Sequence, residues 1–113
     1  RTDHGPPTMA VEVSHDGRRV VYTADTGPGW SVDAFGAGAD LVLSEATFQR
    51  DREGEMQHLS ARQAGAAARE ARAARLVITH LWPTLDPQRS VEEGGDAFGR
   101  AVTSAVPHAR FEV

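Results

Sequence analysis

The sequence contains no cysteine, no lysine and no long apolar run. The absence of thiols excludes a disulfide scaffold, a Cys-ligated zinc site and thiol catalysis. None of the apolar runs approaches the roughly 20 residues that a helix needs to cross a bilayer. The first residues also lack the pattern of a secretory signal peptide. These absences predict a cytoplasmic protein that does not associate with a membrane.

The overall charge of the chain is slightly negative. The formal net charge is −4, and the 12 basic residues are not concentrated in one segment. Sequence-independent binding to nucleic-acid phosphates requires a concentrated basic surface, which is not predicted here. Hydrophobic residues make up 40% and charged residues 25% of the 113 positions, which suits a folded core. This length corresponds to one domain at most.

The first third of the chain has the pattern of a β-hairpin. Residues 9–13 alternate large apolar side chains with small or polar ones, the period of a half-buried strand. Asp16-Gly17 predicts the hairpin turn, and residues 19–24 the returning strand. A Gly-rich break then precedes a short helix, which we expect at about 31–38.

Strands and helices are predicted to alternate after the hairpin. Residues 41–43 and 76–78 are short apolar runs, typical of strands buried on both faces of a parallel sheet. Between them, Ser60 predicts a helix N-cap, and Gln63 completes a capping box. Alanines spaced at 3.6 residues along this helix predict the face that packs on the core.

The end of the chain predicts one more helix and one more strand. The helix is expected at about 90–105, although Gly94-Gly95 weakens its helical propensity. Residues 110–113 predict an edge strand. A hairpin followed by alternating helix and strand units indicates the α/β class, with parallel strands joined by crossovers.

Three predicted strands are followed by residues suited to metal or proton chemistry: Asp25, Glu45 and His80. In open α/β sheets, ligands bind just beyond the carboxyl ends of the strands. A carboxylate and an imidazole at this edge are ligand types that zinc, manganese or iron accepts. The pattern therefore predicts a site at the carboxyl edge of the sheet.

His58 is the fourth candidate. It lies two positions before the Ser60 cap, and therefore at the entrance of a helix, where backbone amides favour negative charge. An imidazole at that position can protonate a leaving alkoxide or orient a phosphate.

Each candidate also has an ordinary structural interpretation. Asp25 suits a turn or cap, Glu45 a structural carboxylate, and His58 a loop. His80 follows a buried apolar run and needs a polar partner or a metal. Trp82 could line a pocket or pack in the core.

Four segments together resemble the metallo-β-lactamase-fold hydrolases, in the branch of ribonuclease Z and cyclic-nucleotide phosphodiesterases. They are residues 21–27 (VYTADTG), 39–48 (ADLVLSEATF), 58–65 (HLSARQAG) and 76–83 (LVITHLWP), in the order typical of that branch. His4, ahead of the first strand, also occupies a position where this branch has a histidine.

The resemblance implies half of an αββα sandwich. The family's His-x-His-x-Asp-His cluster is missing, which implies that residues 1–113 are the C-terminal portion of the domain, with the N-terminal half absent. By the same resemblance, Asp25 and His80 are metal ligands of a two-zinc site, with manganese as an alternative. Two ligands do not form a competent site, so we expect the isolated chain to be inactive.

The resemblance further implies a phosphodiesterase. His58 and Glu45 are the implied catalytic residues, with Glu45 orienting His58. The implied substrates are phosphodiesters, either RNA 3′ ends or cyclic nucleotides.

Three other functional classes are alternatives to a phosphodiesterase. The first is a non-catalytic α/β fragment without metal, which forms a homo-oligomer through the face that the absent half would cover. A receiver-like domain with Asp25 as phospho-acceptor is disfavoured, because such domains use a lysine. A serine hydrolase is disfavoured because residues 29–33 (GWSVD) lack the second glycine of a nucleophile elbow.

Overall fold

Five strands form one mixed sheet in the computed structural model, which describes all 113 residues. The sheet order follows the chain order, with β1 antiparallel to β2 and every other neighbouring pair parallel. The strands are β1 (Val11–His15), β2 (Arg18–Tyr22), β3 (Leu41–Glu45), β4 (Leu76–Thr79) and β5 (Thr103–Ser104). The predicted α/β class, with a hairpin followed by alternating helices and strands, is confirmed.

The hairpin turn has the predicted residues. His15 pairs with Arg18, so that only two residues connect the strands. Asp16 and Gly17 both have positive φ, 47° and 75°. These values match the primed turn that suits the twist of a two-residue hairpin.

The predicted burial of the first strand is wrong. This strand begins two residues later than expected, and Met9, Val11 and Val13 are 65%, 48% and 61% exposed. The half-buried position is Glu12, which pairs with the fully buried Val21 and shares its face of the sheet. Both helices pack on that face, so the alternating apolar residues of β1 lie on the opposite face, which no helix covers.

Two α-helices lie on the covered face: α1 (Ala61–Glu70) between β3 and β4, and α2 (Pro87–Phe98) between β4 and β5. The predicted capping box is present in α1, with the Gln63 amide donating to Ser60 Oγ at 3.0 Å. Buried alanines of α1 pack with Val42 and Ile78 of the central strands. The short helix expected at 31–38 is a 3₁₀ turn at Val32–Phe35.

Glycines allow the two helices to pack closely. A Cβ on Gly65 of α1 would collide with the Gly94 carbonyl of α2 and would lie 3.0 Å from Ala97 Cβ. Gly94 itself is buried. The close approach of the two backbones therefore depends on Gly65, whereas a Cβ on Gly94 would meet the Ala61 carbonyl of α1 at an ordinary 3.4 Å.

The predicted boundaries of the last helix and strand are wrong. Helix α2 begins at Pro87 rather than 90, because Asp86 caps it by accepting from the Gln88 amide at 3.0 Å. It ends at Phe98, because Gly99 adopts φ 81°. The edge strand is Thr103–Ser104, paired with β4, and residues 110–113 form no strand. Neither helix is long and apolar enough to span a bilayer.

Candidate metal and catalytic site

The carboxyl ends of β2, β3 and β4 bring the predicted residues together. His80 Nδ1 lies 3.7 Å from Asp25 Oδ1. His58 approaches from the entrance of α1, and its Nδ1 lies 2.8 Å from Glu45 Oε1. The ring centroids of His58 and His80 are 5.4 Å apart. Four side chains from four separate segments thus meet at one edge of the sheet.

Glu45 is the centre of this cluster. Its side chain is 1% exposed, and no arginine contacts it. Instead it accepts five hydrogen bonds from the Thr26, Thr47 and Leu59 amides, Thr47 Oγ1 and His58 Nδ1. A buried carboxylate is tolerated only when such donors satisfy it. Glu45 therefore ties the loop after β2, the turn after β3 and the segment before α1 to one group.

Glu45 also sets the tautomer of His58. A carboxylate only accepts hydrogen bonds, so Nδ1 of His58 must donate in the 2.8 Å contact. The other nitrogen, Nε2, is then the one available to a ligand. The imidazole is 14% exposed, which leaves it oriented but reachable.

Thr47 sets the tautomer of His80 in the same way. The Thr47 hydroxyl has one hydrogen, which it donates to Glu45 Oε2 at 2.8 Å. It can therefore only accept from His80 Nδ1, which lies 2.8 Å away. His80 Nε2 then carries a free lone pair, the form in which imidazole binds a metal.

Two of the five non-glycine residues with positive φ lie beside the site. Ala24, directly before Asp25, has φ 51°, and His80 has φ 57°. Left-handed backbone is unfavourable for residues with a Cβ, and such residues are concentrated at functional sites. Both residues lie at the carboxyl ends of strands, where they redirect the chain around the site.

The N-terminal segment completes the site in a way that the sequence did not indicate. Asp3 Oδ2 accepts from the Gly29 amide at 2.8 Å, and Asp3 Oδ1 accepts from the Gln57 side chain. A Cβ on Gly27 or Gly29 would lie 2.7 or 2.6 Å from Asp3 Oδ2. The glycines after Asp25 therefore leave room for the Asp3 side chain, which joins the Asp25 loop to the His58 segment.

His4 is the third histidine at this edge. Its ring centroid lies 5.0 Å from that of His58, and its Nδ1 lies 3.2 Å from Thr8 Oγ1. The resemblance placed His4 near the first strand, but only the fold shows that it lies against His58.

Two overlapping groups could hold a metal ion: His4, Asp25 and His58, and Glu45, His58 and His80. Within each group the ligand atoms lie within 4.8 Å of one another. The Glu45 oxygens are already occupied by five donors, whereas the Asp25 carboxylate accepts no hydrogen bond. Asp25 and His80 Nε2 therefore each remain free as ligands, although neither group contains both residues. A carboxylate with imidazoles suits a borderline or hard divalent cation.

The largest surface cavity lies away from this cluster, on the outer side of α1 and α2. Its lining mixes charges of both signs and contains no histidine. The charged lining residues are Arg50, Arg62, Arg69, Glu70, Glu93 and Asp96. These groups can neutralise one another, and the cavity offers no imidazole for metal binding or proton transfer.

The chain has relatives of known type. It is 38% identical to a ribonuclease Z of Haloarcula marismortui, over 88% of this chain and 33% of the relative. It is 32% identical to a ribonuclease Z of Mycobacterium bovis, over 99% of this chain and 42% of the relative. The crystal structure of the metallo-β-lactamase fold protein YhfI from Bacillus subtilis superposes with a TM-score of 0.82. That structure is 31% identical, over 92% of this chain and 43% of YhfI.

The chain thus spans a third to less than half of the length of these relatives. The family described as a β-lactamase superfamily domain matches residues 1–81, which include Asp25, Glu45, His58 and His80. Members of this superfamily generally bind metal ions. The resemblance inferred from four sequence segments is confirmed, and the chain belongs to the metallo-β-lactamase superfamily.

Proposed function

We propose that the chain carries part of the active site of a metal-dependent phosphodiesterase and is the C-terminal portion of its catalytic domain. The observation that carries the proposal is the Glu45 hydrogen-bond network. It directs Nδ1–H of His58 to a carboxylate and Nδ1–H of His80 to Thr47, which leaves both Nε2 atoms for ligands. A network of this kind suits one proton-transfer imidazole and one metal-binding imidazole.

In this proposal Asp25 and His80 hold the metal, with the remaining ligands supplied from outside residues 1–113. Zinc is the metal we propose, and manganese is the alternative. When bound, a two-metal centre supplies Lewis-acid activation of water for attack on phosphorus. Glu45 remains outside the coordination sphere, because its oxygens are already hydrogen-bonded.

His58 is the proposed proton donor to the leaving oxygen. Its Nε2 carries the proton that is transferred, while Nδ1–H remains bonded to Glu45 throughout. Glu45 stabilises the imidazolium before transfer and keeps the ring in place afterwards. The chain's own residues therefore provide the acid half of the reaction.

The names of the relatives support a nucleic-acid substrate, since two of them are ribonucleases Z. We propose RNA 3′ ends or cyclic nucleotides as substrates, encountered in the cytoplasm. Both are phosphodiesters with poor alkoxide leaving groups, which require the proton that His58 donates.

Replacement of His58 tests this assignment. In the protein at its full natural length, His58→Ala is expected to slow cleavage of an RNA 3′ extension by about 10²–10⁴-fold. The loss should be much smaller for a diester with p-nitrophenolate as leaving group, which departs without protonation. Rates are measured for both substrates, with His15→Ala as control because that side chain is 87% exposed. Equal losses on the two substrates would contradict a role as general acid.

A second candidate function has one observation in its favour. On the face of the sheet that no helix covers, Val11, Val13 and Tyr22 are 48%, 61% and 41% exposed. An apolar face of this kind favours self-association of a non-catalytic chain without metal. Light scattering after size exclusion distinguishes self-association from the proposed phosphodiesterase function. A dimer of the 113-residue chain that the Val13→Glu substitution dissociates would support self-association.

A further inference from the structure

We infer that Trp82, supported by Phe48 and Arg52, is a stacking platform for a nucleobase of the substrate. This inference rests on the proposed phosphodiesterase function and names the part of the substrate that the site recognises. None of the three side chains belongs to the hydrogen-bond network around Glu45.

Trp82 is held rigidly and yet exposed. It follows His80 by two residues, and its amide donates to the Thr47 carbonyl at 3.1 Å. Its ring packs on that of Phe48, with centroids 5.9 Å apart and planes inclined by 31°. Phe48 is fully buried, whereas Trp82 is 38% exposed. Phe48 fills the core position that the sequence also allowed for Trp82, and the indole is left at the surface.

Arg52 adds a cation to the platform. Its guanidinium carbon lies 5.1 Å from the Phe48 centroid and 5.9 Å from the Trp82 centroid. Glu55 holds it there through two hydrogen bonds of 3.0 and 2.6 Å. A guanidinium beside an aromatic ring is a recurrent partner of bases and of phosphate oxygens.

The buried Phe48 links Trp82 to the proposed active site. The Phe48 centroid is 6.2 Å from that of His58, which is 5.4 Å from that of His80. A phosphate bound at the two histidines would therefore be separated by one ring, that of Phe48, from the flat apolar surface of the Trp82 indole. A nucleoside attached to that phosphate carries a flat π-system of the kind that stacks on tryptophan. Stacking is tolerant of base identity, so we expect recognition of a nucleoside without a strong preference for one base.

Two diesters with the same leaving group test the platform. Thymidine 5′-p-nitrophenyl phosphate and methyl p-nitrophenyl phosphate share the scissile bond and differ in the nucleoside. In the protein at its full natural length, Trp82→Ala should lower the ratio of their kcat/KM values by about 5- to 150-fold. Trp82→Phe should retain most of the ratio, because it keeps a π-face.

The matched control is Phe111→Ala, because Phe111 has its own arginine, with the Arg75 guanidinium carbon 5.9 Å from its ring centroid. Arg75 precedes β4, at the opposite edge of the sheet. This control should leave the ratio of the two kcat/KM values at the wild-type value.

A second readout separates this inference from the proposed function. Binding of thymidine 5′-monophosphate, followed by the NMR signal of the Trp82 indole N–H, requires no hydrolysis. If the wild type hydrolyses neither diester but binds the nucleotide at Trp82, the proposed function fails and the platform stands. If both diesters are hydrolysed and Trp82→Ala leaves their ratio unchanged, or if the nucleotide does not perturb the indole signal, the platform is overturned.

Discussion

The carboxylates at the two edges of the sheet have opposite kinds of hydrogen-bond donors. At the amino edge, Asp40 accepts from Arg18 at 2.8 Å and from the Arg19 amide at 2.9 Å. The hydrogen bond from Arg18 is the main reason that the pKa of Asp40 lies below its usual value. At the carboxyl edge, Glu45 is 1% exposed and has five donors, none of them from an arginine.

The two kinds of hydrogen-bond partner have different consequences for stability and for geometry. An exposed ion pair contributes little to stability because water screens it, and either partner can be lost cheaply. A buried carboxylate held by amides, a hydroxyl and an imidazole fixes the positions of those groups relative to one another. The amino edge is solvated, whereas the carboxyl edge is organised around one residue.

The largest expected effect is that of Glu45→Gln. An amide in this position turns an –NH₂ toward groups that themselves donate, so buried donors lose their acceptor. We expect the free energy of unfolding to fall by about 3 kcal/mol or more. Urea denaturation of the wild type and of Glu70→Gln, an exposed glutamate on α1, provides the comparison. A Glu45→Gln variant as stable as Glu70→Gln would contradict the central role of Glu45.

Thr47→Val tests the path from Glu45 to His80. Valine has nearly the same shape but no hydroxyl, so His80 Nδ1 loses its 2.8 Å partner. We expect zinc affinity to fall by about 10–100-fold in the full-length protein. Affinity is measured by chelator competition, and ¹⁵N NMR of the metal-free protein reports the His80 tautomer. Thr47→Ser keeps the hydroxyl and should restore both. The same affinity in the valine and serine variants would show that the hydroxyl does not orient His80.

The expected loss of stability for Glu53→Gln is smaller than that for Glu45→Gln and larger than that for Asp40→Asn. Glu53 accepts from Arg62 Nε at 2.7 Å, and this bond chiefly lowers its pKa below the ordinary 4.5. A lowered pKa stabilises the fold above about pH 4.5, and the contribution is lost as pH falls through the folded-state pKa. We expect the variant to be less stable at pH 7 by about 1 kcal/mol. Thermal melts from pH 7 to 3 should show this difference shrinking, and a constant difference would refute it.

The smallest effect is expected for Asp40→Asn. The Arg18 and Asp40 side chains are 64% and 23% exposed, so solvent screens their interaction. The melting temperature at neutral pH should change little, and less than for Glu53→Gln. A loss comparable to that of Glu45→Gln would mean that the contrast between the two edges is false.

The sequence predicted the parts of the fold that local pattern determines. The apolar runs of β3 and β4 and the capping box at Ser60 and Gln63 are strong local signals, and each element formed where expected. The positions of Asp25, Glu45 and His80 after strands were enough to predict that they meet. Parallel strands necessarily bring their carboxyl ends to one edge.

What escaped prediction depends on contacts between distant segments. The alternation at residues 9–13 was real, but which face the helices cover is not written in β1 itself. Helix α2 ended early because Gly99 turns the chain. Only the fold brings Asp3 against Gly27 and Gly29, and only the fold shows that Phe48 is buried while Trp82 beside it is 38% exposed. Apart from the end of α2, which Gly99 determines locally, these features arise from tertiary packing.

The five bonds to Glu45 have a consequence for how the protein opens. The amides of Thr26, Thr47 and Leu59 belong to three different segments, yet all end on the same two oxygens. Exchange of any of these amide hydrogens with solvent requires the carboxylate to release its share of the network. Their protection against hydrogen exchange should therefore rise and fall together, as one cooperative unit. We therefore expect the edge of the sheet that holds the proposed catalytic groups to open as one unit.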